Sequence, residues 1–181
     1  MSAHLRSSAS SRAPEQVAVK RVLGVDTSLR CTGYGVVERQ GSSYQARAWG
    51  QIRNPPSRSH ADCLTELYTG LQSVIAREEP EVMAIEGIFF SKNARTAMIL
   101  GQARGIVLLV AAQAGVPVFE YAPRSVKQAV VGNGNAHKEQ VQRMIQLLLS
   151  LTAKPQNDAA DALALAICHL HQSRLGLSIP R

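Results

Sequence analysis

The chain has 181 residues, 45% hydrophobic and 18% charged, a formal net charge of +7 and a pI near 9.8. That is one domain's length with the composition of a globular protein, which excludes a fibrous or wholly disordered chain, and its basic balance favours an anionic partner such as a phosphate backbone. Its three cysteines, Cys31, Cys63 and Cys168, are far apart and form no CxxC pair, which argues against a zinc knuckle or disulfide framework and fits a reducing cytoplasm.

The first eighteen residues are Ser- and Arg-rich with no apolar h-region, and read as a disordered tail, or as an organelle transit peptide, rather than a secretory signal. The folded body is expected over residues 19–172, with 173–181 a second tail. VAVKRVLGVD is an apolar strand ending in Asp26. TGYGVVERQG reads as a second strand, in which Gly33 and Gly35 suggest close backbone packing or a bulge. SSYQARAWGQIR alternates and reads as a third, close enough to complete an antiparallel meander. NPPSRSHAD is a loop.

From about Ala61 to Glu78 the period changes to 3.6, with Leu64, Leu67, Leu71, Val74 and Ile75 on one stripe. EVMAIE is a short buried strand ending in Glu86, and FFSKN is a loop. A long helix is expected from about Ala94 to Ala114, closed by Gly115. VPVFEY is a fifth strand, PRSVKQAVVGNGNA a basic segment with a Gly-Asn-Gly turn, and KEQVQRMIQLLLSL a helix. After the KPQN linker a final helix opens with Asp158 and Asp161. No apolar run approaches the roughly 18 residues of a membrane span, so no membrane partner is expected.

Three strands followed by alternating helices and strands predict an α/β fold. Its five-stranded mixed sheet has three antiparallel strands, then two parallel ones, with helices on both faces. That order of elements resembles the ribonuclease H-like topology, partly by pattern and partly by analogy. It makes the first strand central with the fourth beside it, bringing Asp26 and Glu86 together. Asp158 and Asp161, three apart, share a helix face. Alone, Asp26 reads as a turn residue and the Asp158/Asp161 pair as a complement to the helix dipole. Together the four point to something positive between them, because two like charges about 5 Å apart cost roughly 3 kcal/mol at an effective dielectric near 20. All-oxygen ligands suit Mg2+ or Mn2+, and two ions about 4 Å apart would make a phosphodiester hydrolase.

Four stretches carry a family resemblance: VLGVDTSLRCTGYGVVE, AIEGIFFSKNARTAMILGQARG, PVFEYAPRSVKQAVVGNGNAHKEQV and NDAADALALAICH. They resemble the RuvC family of Holliday-junction resolvases, endonucleases of the ribonuclease H-like superfamily, and with their spacing span nearly everything from Val22 to His171. The resemblance implies metal ligation at Asp26, Glu86, Asp158 and Asp161, a base-stacking aromatic at Phe89, and DNA-facing lysines at Lys127 and Lys138. It implies structure-selective cleavage of four-way DNA junctions by two-metal hydrolysis, with 5′-phosphate and 3′-hydroxyl products. It also implies a homodimer, and branch-migration partners of the RuvA and RuvB type. The loop after Asp26 departs from the family, reading Thr27-Ser28 where many members have Pro-Gly.

Among other basic residues, Lys92, Arg95, Arg104 and Arg124 read as a solvated face or as phosphate contacts, which orient DNA without choosing its sequence. Lys127 and Lys138 flank the Gly-rich turn, and Lys138 is a candidate to stabilise charge on the scissile phosphate. Of Phe89 and Phe90, one is expected to stack on bases and the other to cap the core. Gly101 and Gly105 inside the long helix call for close packing, against the sheet or across a two-fold axis. Two rival functions are open. Val25-Asp26-Thr27-Ser28 with a Gly-containing hairpin also suits the phosphate loop of an actin-like nucleotide binder, although the chain has neither a second Gly-rich loop nor the length of the usual domain pair. The other is a catalytically idle junction-binding protein, against which four intact carboxylates argue.

Overall fold

A computed structural model of the protein describes residues 19–87 and 93–174, Arg174 by its backbone alone. Phe89, Phe90 and Lys92 lie outside the described residues, as do both chain ends. Five strands run β1 Arg21–Asp26, β2 Cys31–Gln40, β3 Ser43–Arg53, β4 Val82–Glu86 and β5 Val118–Tyr121. The helices are α1 His60–Glu78, α2 Ala94–Gln113, α3 Pro123–Val131, α4 Lys138–Leu148 and α5 Asn157–Arg174. The sheet order is β3-β2-β1-β4-β5. β1, β2 and β3 pair antiparallel, while β1, β4 and β5 pair parallel, matching the expected mixed sheet.

The strands' period of two sorts them onto two cores. Leu23, Val25, Val36, Met83 and Ile85 face α1 and α2. Val22, Val37, Val82 and Ala84 face α3, α4 and α5. On α1, Ser59 caps the start by accepting from the Asp62 amide, and Glu79 ends it in the left-handed region at φ 47°.

Helix α3 was not expected. Pro123 opens it, and Val126 and Val130, four apart, are buried in the α5-side core. At nine residues it is too short for a clear 3.6 repeat, and the Gly turn beside it masked the pattern. α2 is a second correction. Although charges interrupt it, this helix of 20 residues is long and apolar enough by length and composition to cross a membrane. One side of it, Ala103, Val107, Val110 and Ala111, packs into the α1 core. Gly101 and Gly105 are exposed, with open space where a Cβ would point, so packing against the sheet does not explain them.

Candidate active site

Two adjacent parallel strands place the first two carboxylates. Val25 of β1 pairs with Ile85 of β4, so the next residues, Asp26 and Glu86, end side by side on strands about 4.8 Å apart. They share the parity of Gly24 and Ala84, which puts both toward α5.

Helix α5 lies unusually close to this face. A Cβ on Gly24 would fall 1.8 Å from the Ala162 carbonyl oxygen, and one on Gly33 would fall 2.0 Å from that of Asp158. Only glycine permits that approach, and it carries the start of α5, with Asp158 and Asp161, over the end of β1. Gly33 thus serves close packing; the sheet's bulge falls instead between Val36 and Val37.

The electrostatics record the convergence. Burial first, then the charges of Asp161, Glu86 and Asp158, push the Asp26 carboxyl up to about 7, with Lys138 opposing them. Burial and Asp161 also raise Glu86, again opposed by Lys138. Lys138 Nζ lies 2.6 Å from Asp161 Oδ2, an ion pair that holds the ammonium above its ordinary range. Asp26, Glu86, Asp161, Lys138 and Lys127 line one cleft of about 230 Å3. Asp158 sits at its flank, where its Oδ2 accepts from Gln51 Nε2 at 2.7 Å and from Cys31 Sγ at 2.8 Å.

This donor set fits hard divalent cations: four carboxylate oxygen donors, mutual repulsion, and an ammonium already drawn in as a partial counter-charge. Thr27 Oγ1, next to Asp26, is buried without a hydrogen-bond partner. Among the described residues, however, no three His, Cys, Asp or Glu side chains close into a cage around one ion. A cation there would complete its shell with other oxygens.

The Thr27-Ser28 loop makes its own supports. Ser28 Oγ accepts from the Cys31 amide at 3.2 Å, and Thr32 Oγ1 accepts from the Ser28 amide while donating to the Ser28 carbonyl. The outlying basic residues do not join the cleft. Arg95 is exposed in the first turn of α2. Arg124 lines a separate cavity with Ser125, Gln128 and His171.

Arg104 is no part of a solvated face. Its guanidinium is buried, donating to the Glu86 carbonyl at 2.7 Å and pairing with Glu120 at 2.5 Å. It braces the backbone that carries Glu86. Its place on the stripe with Val107 and Ala111, at helical spacing, was the available signal. Cys31 and Gln51 carried no such signal.

A family model described as "Crossover junction endodeoxyribonuclease RuvC" matches residues 22–169. The chain is 49% identical over 149 residues to the protein of that description from Moorella thermoacetica, covering 82% of this chain and 89% of that one. It is 46% identical over 166 residues to the one from Photorhabdus laumondii, covering 88% and 93%. Among solved structures, Thermus thermophilus RuvC in complex with a Holliday junction substrate is similar at a TM-score of 0.84 and 34% identity, covering 90% of this chain and 99% of that one. The yeast mitochondrial Holliday junction resolvase, at 14% identity, 0.63 and coverages of 86% and 80%, shares the fold. With a matching family model over most of its length and relatives near half identity, the chain belongs to the RuvC family of crossover junction endodeoxyribonucleases.

Proposed function

We propose that this chain resolves four-way DNA junctions by hydrolysis at the Asp26 cleft, with Asp26, Glu86, Asp158 and Asp161 holding two Mg2+ ions, or Mn2+ in their place. The observation that carries the reading is geometric: Asp26, Glu86 and Asp161, from distant parts of the chain, line one cleft with Lys127 and Lys138, and burial together with the neighbouring carboxylates raises Asp26 there. Isolated surface acids do not produce that pattern, and functional sites do. Bound there, the cations supply water activation and neutralise charge developing on the scissile phosphate. The remaining work belongs to side chains. Lys138 presents a positive charge at the cleft that can pass from Asp161 to a phosphate oxygen. Lys127, on the cleft wall, contacts the backbone. Arg124 and Arg95 extend the basic surface, with Lys92 and Phe89 assigned the phosphate and base-stacking roles that the family resemblance implies.

The exposed face of α2 supports a homodimer. Met98, Leu108 and Leu109 are exposed on it, and Gly101 and Gly105 let a second helix approach closely. A two-fold dimer matches the symmetry of a four-way junction and places one cleft at each of two strands. RuvA- and RuvB-type proteins are the branch-migration partners by family. Free Cys31, Cys63 and Cys168 fit a reducing cytoplasm.

The test is incubation of an end-labelled four-way junction with the protein and Mg2+ or Mn2+. Paired nicks sealable by ligase are expected, with none in chelator. Binding without nicking in either cation would favour the idle junction-binder instead.

A further inference from the structure

We propose that Gln51 and Cys31 are positioning residues that hold Asp158 by one oxygen and so present the other to a divalent cation. The inference rests on the reading of Asp158 as a cation ligand. Both donors converge on Asp158 Oδ2, Gln51 Nε2 at 2.7 Å and Cys31 Sγ at 2.8 Å. They come from paired strands, with Gly33 opposite Gln51 and Cys31 opposite Arg53, so the ladder fixes their spacing.

The orientation of the Gln51 amide is determined by its other neighbour. Arg53 Nε donates to Gln51 Oε1 at 2.8 Å. A guanidinium only donates, so the amide oxygen must face Arg53 and the NH2 must face Asp158. An ionised carboxylate only accepts, so the hydrogen between Sγ and Oδ2 comes from the thiol. The Asp158 backbone is seated as well, because its carbonyl lies where any Cβ on Gly33 would be.

Asp158 and Asp161 are therefore held differently. Asp161 is paired through Oδ2 with an ammonium, whose charge opposes an incoming cation. Asp158 is held by two neutral donors, which repel no cation and can keep their bonds when one binds. Such outer partners fix a ligand's direction and strengthen metal binding.

The experiment is Mn2+ titration of the metal-free, full-length protein, read by electron paramagnetic resonance, with thermal melting alongside. Gln51→Leu and Cys31→Val delete the donors; Cys31→Ser keeps one, and Asp158→Asn is the reference. Both residues are only half-buried, and Cys31→Ala substitutes wherever valine crowds the loop. Gln51→Leu and Cys31→Val should each weaken Mn2+ binding by about 10- to 100-fold, and Cys31→Ser by far less. Cation-free junction affinity should stay unchanged, and excess Mn2+ should restore cleavage. Wild-type Mn2+ affinity in both deletion variants, with Asp158→Asn impaired, overturns this inference alone. Unaltered affinity in Asp158→Asn removes Asp158 from the site and the inference with it.

Discussion

Lys138 Nζ lies 2.6 Å from Asp161 Oδ2, joining the start of α4 to the start of α5. Both side chains are more than a third exposed, so the pair contributes at most about 1 kcal/mol to stability. Its consequence is electrostatic, since the same ammonium lowers the pKa of both Asp26 and Glu86. Lys138→Met should slow single-turnover cleavage by about 100- to 1,000-fold with little change in melting. The acid limb of its pH–rate profile should move to higher pH, as Asp26 holds its proton longer. A rate within twofold of wild type would exclude Lys138 from the reacting centre.

Asp26→Asn removes the most crowded of the four carboxylates. Cleavage should fall by at least about a thousandfold. Junction binding in chelator should persist or tighten, because a negative charge has been taken from beside phosphate. Gel-shift and nicking assays on one preparation check both, and efficient nicking by the variant would take Asp26 out of the site.

Among the shifts that set acid stability of the metal-free protein, those of Asp26 and His169 have opposite signs, and the raised Glu86 acts in the same direction as Asp26. Asp26 titrates near 7 against an ordinary 3.8, so the folded state binds the extra proton and stability falls as pH rises from about 4 to 7. His169, buried under Phe119 with Nδ1 at 2.7 Å from the Tyr121 hydroxyl, is lowered by burial from 6.5 to about 4. The unfolded state then binds the extra proton, and stability rises with pH over about 4 to 6.5. At full size the effects are worth roughly 4 kcal/mol for Asp26 and roughly 3 kcal/mol for His169. In the wild type the rise due to His169 is therefore opposed from pH 4 to 6.5 by Asp26 and Glu86. Asp26→Asn should expose the His169 slope, gaining stability over that window and exceeding wild type at pH 7. Denaturant melts in chelator test this; an Asp26→Asn profile with the same slope as wild type contradicts it.

Lys127 lines the cleft without an acidic partner among the described hydrogen bonds and ion pairs. Lys127→Ala should weaken junction binding uniformly across sequences and reduce the slope of log K against log salt by about 1. An unaltered slope would place the phosphate backbone elsewhere.

The exposed α2 face gives a separable prediction. Met98→Asp with Leu109→Asp puts charge on solvent-facing positions and should leave the monomer's melting nearly unchanged. Light scattering should show the dimer converted to monomer. Paired cleavage should give way to single, uncoupled nicks. A variant that remains dimeric moves the contact off α2.

The sequence by itself determined the five strands, four of the five helices and the placement of four acids near element ends, while the sheet order came from likeness to the ribonuclease H-like topology. It could do so because burial imposes periods of 2 and 3.6 along the chain, and a charge closing an apolar run is visible locally. α3 escaped because nine residues beside a Gly turn hold too little of the repeat. What only the tertiary structure decided were contacts between layers. Cys31 reaches Asp158 across 127 positions, Arg104 turns inward to brace Glu86, and Gly24 and Gly33 admit α5 to the sheet. Those depend on how closely a helix stacks on strands, a distance set by three-dimensional packing and carried by no one-dimensional period.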